Sequence, residues 1–223
     1  MRLFDMDGPL YGALETFMKL VLCNMFFVLF SIPVFTIGAS LTALYTCTQR
    51  MVYEESREER LVFLEFWHAF RRNFRQATGL WLICLGAALC LGAYYWVVGR
   101  LAGDLGKVYG ITFYLLALVF LMGFLYIFPL QARYENTVKN TLRNAWLLSV
   151  SALPLTLLTV LLLVGAVYIS FIMDPDKAGF FIYLWAVCGF SLIAYFQSFL
   201  TKQAFRKFDR GTDDPPGTDV DRP

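Results

Sequence analysis

Hydrophobic positions fall into five long runs that contain no Asp, Glu, Lys or Arg. The runs cover residues 20–48, 77–99, 108–132, 144–173 and 178–201. Each run has at least the roughly 20 residues that an α-helix needs to cross the hydrocarbon core of a bilayer. The pattern therefore predicts an all-α protein, a polytopic transmembrane helical bundle with five or six membrane segments.

The first run differs from the others because Pro33 interrupts it and Gly38 follows. Pro33 has no amide donor, clashes with the carbonyl group four residues back, and disfavours a helical conformation at Ile32. Gly38 then allows the backbone a wider range of conformations. The run is therefore either one long kinked helix or a tight hairpin of two short helices, and the number of membrane segments stays at five or six.

Positive charges indicate the orientation. Segments 49–76 and 133–143 and the part after residue 201 hold six, three and five of the 19 Lys and Arg residues. The loops between them hold only Arg100, Lys107 and Lys177. By the positive-inside rule, the sequence predicts a multi-pass membrane protein with its C-terminus in the cytoplasm. Because the hairpin would also place Arg2 and Lys19 inside, the rule mildly favours it.

Polar stretches next to the runs predict helices at the cytoplasmic interface. In residues 61–77 the apolar residues recur at spacings of three and four, which predicts an amphipathic helix with a basic face that leads into the second run. Residues 134–146 lead into the fourth run in the same way. We expect one transmembrane domain, 1–208, built from three helical-hairpin units, 8–52, 58–132 and 134–201, and followed by a flexible polar tail, 209–223.

Composition argues against several functional classes. Only 16% of the residues are charged, against about 25% in soluble domains, and a net charge of +2 leaves no basic surplus for nucleic acid. No run carries an ionisable residue near its centre, as ion-coupled carriers commonly do. The sequence also lacks a phosphate-binding loop, a zinc-protease motif and a hydrolase nucleophile motif.

Cysteine and histidine residues do not predict a metal site. The five Cys residues lie scattered in apolar runs, and the single His, His68, lies in a different kind of segment. Metal sites bring several such ligands together at short spacings. We therefore expect no metal, no cofactor and no catalytic residue.

Two groups of side chains are candidates for binding. The predicted interfacial helices offer residue types that dominate protein interfaces, and these either contact a partner or lipid headgroups or only anchor the helices to the inner leaflet. This first group is Trp67, Phe70, Arg71, Arg72, Arg75, Arg143 and Trp146. Aromatic residues at the predicted outer ends form either an interfacial belt or a platform that stacks on carbohydrate. This second group is Tyr94, Tyr95, Trp96, Tyr183 and Trp185.

Short motifs carry a resemblance to a known family. Residues 31–39 read Ser-Ile-Pro-Val-Phe-Thr-Ile-Gly-Ala, residues 42–45 read Thr-Ala-Leu-Tyr, and residues 73–77 read Asn-Phe-Arg-Gln-Ala. On these motifs the chain resembles the YesL family of bacterial integral membrane proteins, over about residues 10–208. The biochemical function of that family is unknown. Because its genes often neighbour carbohydrate ABC importers, the resemblance implies a non-catalytic accessory or regulatory protein of oligosaccharide uptake that works with ABC transporter components.

Two alternatives stay open. The segment 140–146, followed by Pro154, is similar to the end of the loop that couples an ABC permease to its ATPase, but it lacks the Glu-Ala-Ala and Gly of that loop. If this segment is a divergent form of that loop, the chain is a divergent permease-like transport subunit. The other alternative is a structural or stress-related membrane protein with no transport role. The sequence leaves the oligomeric state open.

Overall fold

The computed structural model describes residues 9–53, 61–100, 103–172 and 175–212. Within these residues the regular structure is entirely helical, which confirms the all-α fold class. The helices are α1 (Pro9–Phe30), α2 (Ile37–Tyr53), α3 (Val62–Val98), α4 (Gly103–Arg133), α5 (Val138–Ser151), α6 (Leu153–Phe171), α7 (Ala178–Leu184) and α8 (Phe190–Thr212). A π-helical turn, Trp185–Gly189, joins α7 to α8.

Five segments in the described part of the chain are long and apolar enough to cross a membrane. They are Tyr11–Phe30, Val62–Val98, Gly103–Arg133, Leu153–Phe171 and Ala178–Lys202. The architecture is that of a multi-pass membrane protein. Helix α2 is not among the five, because it has only 17 residues. Most of these residues are buried among the other helices.

The first apolar run forms two helices, α1 and α2. Pro33 lies in the connection between them and has an extended backbone. The Thr36 hydroxyl closes the connection by donating to the carbonyl oxygens of Phe30 and Pro33, each at 2.6 Å. Cys23 of α1 and Cys47 of α2 are buried in the same apolar cluster, and α1 packs along α2 as a hairpin.

Helix α2 packs antiparallel to α3. The indole nitrogen of Trp81 donates to the carbonyl oxygen of Val34, before α2 begins, at 2.8 Å. Near the other end of α2, Arg50 pairs with Glu65 at 3.2 Å. Helix α8 lies on another side of α2, where the hydroxyls of Thr48 and Ser198 are 3.2 Å apart. Helix α2 thus forms the centre of the bundle.

The sequence predicts one membrane span over the fourth apolar run, 144–173. The structure corrects this prediction, because two helices share the run. Helix α5 ends at Ser151 and α6 begins at Leu153. Pro154 lies in the first turn of α6, where a helix needs no amide donor. The apolar span is therefore α6 alone, and α5 is a separate short helix.

Two other helices are longer than the apolar runs that predict them. Helix α3 contains both the basic interfacial segment and the second apolar run in 37 residues, or about 55 Å. That length exceeds the roughly 30 Å of a hydrocarbon core. Helix α8 extends to Thr212, so residues 209–212 of the predicted tail are helical. The rest of that tail, 213–223, lies outside the described residues.

Cationic side chains from several helices meet at one end of the bundle, which we call the basic end. The ring of Tyr53, the last residue of α2, lies 4.4 Å from the Arg133 guanidinium of α4 and 5.4 Å from the Lys202 ammonium of α8. Lys202 also donates to the carbonyl oxygen of Val52 at 2.9 Å. The ends of α2 and α4 therefore converge with α8 at this point.

Gly38 allows α2 to approach α3, and its substitution is the first test of the fold. A Cβ atom at residue 38 would lie 2.5 Å from the Cβ of Trp81 and closer still to the carbonyl oxygen of Ala77. Because neither atom can swing away, we expect Gly38→Ala to lower the free energy of unfolding in detergent by about 1–3 kcal/mol. Gly86→Ala is the control, since nothing lies within 4 Å of that position. An unchanged unfolding midpoint for Gly38→Ala would contradict the close approach.

A second test concerns orientation and uses single cysteines in a cysteine-free background. Lys107 in α4 and Lys139 in α5 are both exposed and lie at opposite ends of the bundle. If the basic end is cytoplasmic, a membrane-impermeant maleimide should label Lys107→Cys on intact cells and should label Lys139→Cys only after permeabilisation. Labelling in the reverse order would show that the orientation is inverted.

Candidate docking face at the basic end

The first part of α3 has one aromatic, buried face and one cationic, exposed face. Phe70 is only 7% exposed, and its ring lies 5.1 Å from that of Phe30 in α1 and 5.4 Å from that of Phe74. Phe70 is therefore a packing residue rather than a contact for a partner, which corrects the sequence analysis. The physical reason is that α1 covers the apolar face that the sequence analysis assigns to the interface.

Trp67 lies between the buried and the exposed face. Its ring stacks on that of Phe70 at 5.9 Å, and the Arg71 guanidinium lies 5.8 Å from its ring centre. The ring of Phe30 is 5.5 Å away on the side of α1. Because the indole is half-buried and carries Arg71 beside it, a partner at this position would meet the arginine as well as the ring.

Helix α5 presents the second cationic segment. Its first turn is capped by Thr137, whose hydroxyl accepts a hydrogen bond from the amide of Asn140 at 3.4 Å. Arg143 is exposed. Trp146 is 38% exposed, and its ring covers Gly123 of α4, where a Cβ atom would lie 3.0 Å from the indole. One side of Trp146 is thus fixed against α4.

A buried polar bridge holds the cationic parts of α3 and α5 together. The amide nitrogen of Gln131 in α4 donates to Asn73 of α3 at 3.4 Å, and its amide oxygen accepts from Thr141 of α5 at 3.3 Å. Gln76 of α3 donates to the carbonyl oxygen of Asn136, just before α5. Four cations on these two helices are exposed, and we call this set the docking face: Arg71 and Arg75 on α3, and Lys139 and Arg143 on α5.

Arg72 lies apart from the docking face. It is exposed and lines a cavity between α2 and α3, together with Arg50, Glu65 and His68. One residue along an α-helix corresponds to a turn of about 100°, so Arg71 and Arg72 point to different sides of α3. The structure thus divides the arginine cluster of the sequence analysis between two surfaces.

The aromatic residues at the opposite end of the bundle also divide into two groups. Phe113 of α4 packs between Tyr94 and Tyr95 of α3, with ring centres 6.3 Å and 5.0 Å away. The Arg100 guanidinium lies 3.4 Å from the ring centre of Trp96. These residues belong to the hairpin of α3 and α4, and one face of Trp96 is already occupied.

The contacts of Trp185 correct the prediction that it belongs to the outer aromatic platform. Its indole nitrogen donates to the Ser170 hydroxyl of α6 at 3.1 Å, and its ring lies 5.1 Å from that of Phe190. Gly189 leaves room for the ring. Trp185 therefore packs α7 against α6, while Tyr183 is exposed on α7. The described contacts do not join these two residues to Tyr94, Tyr95 and Trp96 as one surface.

Sequence reasoning missed a group of buried polar side chains beside Pro129 in α4. Pro129 has no amide hydrogen, so the carbonyl oxygen of Leu125 loses its partner within the helix. Gln197 of α8 donates to that oxygen at 2.6 Å and accepts from the Tyr45 hydroxyl of α2 at 2.6 Å. Gln49 of α2 donates to the carbonyl oxygen of Pro129 at 2.9 Å. A proline inside an apolar run, with single glutamines in two other segments, is the signal that could have indicated this group.

A second buried group lies at the π-helical turn. Asn24 of α1 donates to the carbonyl oxygens of Trp185 and Ala186 at 3.0 Å and 2.7 Å. Its own oxygen accepts from the amide of Ser191 at 2.9 Å. A π-helical turn leaves backbone groups without their regular helical partners. The side chain of Asn24 bonds to these groups in place of the missing partners. These polar atoms are engaged with one another, so the arrangement holds helices together.

Comparison with known proteins adds one similarity. No curated protein and no solved structure matches the chain. A family model described as "Protein of unknown function, DUF624" matches residues 20–99, which include the Pro33 connection, α2 and α3. Over that part, a minority of its length, the chain is therefore similar to the DUF624 family.

Proposed function

We propose that this protein is a non-catalytic accessory or regulatory membrane protein that binds a partner through the docking face. The observation that carries this proposal is the Gln131 bridge, which joins Asn73 and Thr141 and so sets two cationic helices side by side. A surface that is already ordered loses little conformational entropy when a partner binds. Exposed cations on that surface favour a partner with acidic side chains.

Simple anchoring in the membrane would not require this construction. A basic amphipathic helix binds an anionic leaflet by its charge and apolar area, without a fixed neighbour. Here Gln76 binds the backbone before α5, and Trp146 rests on α4, so the two segments keep one relative geometry. Fixed geometry matters for a protein partner, because side chains must meet complementary groups at set positions.

The identity of the partner rests on the resemblance to the YesL family, a member of the DUF624 group. The motifs at 31–39, 42–45 and 73–77 all fall inside the matched residues, 20–99. The neighbourhood of carbohydrate ABC importers that this resemblance implies supports a transporter component as the partner. The protein would then assist oligosaccharide uptake in the bacterial cytoplasmic membrane without catalysing a reaction.

A permease-like transport subunit is the second candidate. Pro129 in α4 and the π-helical turn before α8 interrupt two apolar segments, and interrupted helices often form the substrate sites of transporters. A transport path would have to pass these interruptions. Gln197 and Asn24 already bind the backbone groups there, which favours a structural role for both interruptions. We therefore rank this candidate second.

Charge reversal on the docking face tests the first candidate. We expect Arg75→Glu combined with Arg143→Glu to reduce co-purification of carbohydrate ABC importer subunits by at least about tenfold, because both cations would repel an acidic partner. Co-purification in mild detergent, quantified by mass spectrometry, measures the effect. Arg100→Glu combined with Lys107→Glu makes the same charge change at the opposite end and should leave co-purification unchanged.

Both double variants should insert into the membrane and fold, with unfolding midpoints close to that of the unmodified protein, since all four side chains are exposed. The proposal would be refuted if the docking-face variant retained its partner. It would also be refuted if no importer subunit were recovered with the unmodified protein from cells grown on any oligosaccharide.

A further inference from the structure

A cavity of about 440 Å³ lies between the second half of α2 and the first part of α3. Its lining residues within the described part of the chain are Thr46, Arg50, Leu61, Leu64, Glu65, His68, Ala69 and Arg72. The volume is within the range of sites that hold small molecules. None of the four docking-face cations is among these described lining residues.

Among the described residues, the polar lining of the cavity has a cationic surplus. Arg50 pairs with Glu65 at 3.2 Å, and the Glu65 side chain is only 17% exposed. Arg72 adds a second guanidinium, and His68 adds a ring nitrogen donor. The side chains of Arg72 and His68 are both exposed. Guanidinium groups bind phosphate oxygens with two parallel hydrogen bonds, which makes phosphate a suitable anion for this lining.

The apolar lining of the cavity lies beside the cations. Leu61 is 70% exposed and Leu64 is 56% exposed, at the point where α3 begins. Val62–Val98 is one of the five segments that can cross the membrane, and the cavity lies at its first turns. Basic pockets between membrane helices on the cytoplasmic side commonly bind anionic headgroups. A ligand with a phosphate group and an apolar chain would satisfy both parts of the lining.

We propose that this cavity binds the phosphate headgroup of an anionic phospholipid. Arg50 and Arg72 donate to the phosphate oxygens, His68 lies beside the headgroup, and Leu61 and Leu64 contact the start of the acyl chains. Bound lipid would then link the end of α2 to the start of α3. This proposal is independent of the docking face, because Arg75 and Arg143 do not line the cavity.

The test uses the purified full-length chain in mild detergent and short-chain lipids as probes. Dioctanoyl phosphatidylglycerol is titrated against dioctanoyl phosphatidylcholine, and bound lipid is counted by native mass spectrometry. We expect phosphatidylglycerol to bind at least about tenfold more tightly. Arg72→Gln should remove most of that preference, whereas Arg75→Gln, a matched change one turn along the same helix, should leave it within about twofold.

A second set of measurements separates a lipid from a soluble phosphate. Glycerol 3-phosphate and inorganic phosphate should bind at least about tenfold more weakly than phosphatidylglycerol, because they cannot contact Leu61 and Leu64. Leu64→Ser should weaken the binding of phosphatidylglycerol and provides a second variant if Arg72→Gln does not fold. Equal binding of the two lipids, equal effects of Arg72→Gln and Arg75→Gln, or equal affinity for glycerol 3-phosphate would each overturn the proposal.

Discussion

The structure depends on one constraint, which is that every backbone carbonyl and amide group inside an apolar span needs a hydrogen-bond partner. An apolar span offers no water, so each carbonyl or amide group that leaves the regular helical pattern must find a partner in the protein. Pro129 frees the carbonyl oxygen of Leu125, and the π-helical turn frees groups around Trp185. Gln197 and Asn24 bind these groups from α8 and α1. Each irregular helix is thereby joined to a particular neighbour.

Side-chain hydrogen bonds near Pro129 join the two helices of the docking face. Helix α4 carries Pro129 in its last part, and Gln131 follows two residues later, with its amide group shared between Asn73 of α3 and Thr141 of α5. The basic end is therefore assembled on α4. Tyr53 adds a further link, because Arg133 of α4 and Lys202 of α8 both approach its ring. The two helices of the docking face take their relative geometry from this framework.

The all-α class and the five candidate spans follow from apolar runs, which is a signal that needs no knowledge of neighbouring helices. Packing partners are different, because they depend on residues far apart in the chain. Phe70 has an interfacial pattern in the sequence, but α1 returns along the bundle and buries it. Arg71 and Arg72 form one basic cluster in the sequence, but α3 turns them to two surfaces. Gln197 looks like an isolated polar residue until Pro129 is placed beside it.

A double-mutant cycle between Gln197 and Pro129 tests this account most directly. Gln197→Leu leaves the Leu125 carbonyl without a partner, and it should lower the free energy of unfolding in detergent by about 2–4 kcal/mol. In the Pro129→Ala background the restored amide can bind that carbonyl within α4, so the same change should cost at least about 1 kcal/mol less. Thr159→Val, whose hydroxyl donates to the carbonyl oxygen of Leu155 within α6, should cost the same in both backgrounds. An equal cost of Gln197→Leu in both backgrounds would contradict the account.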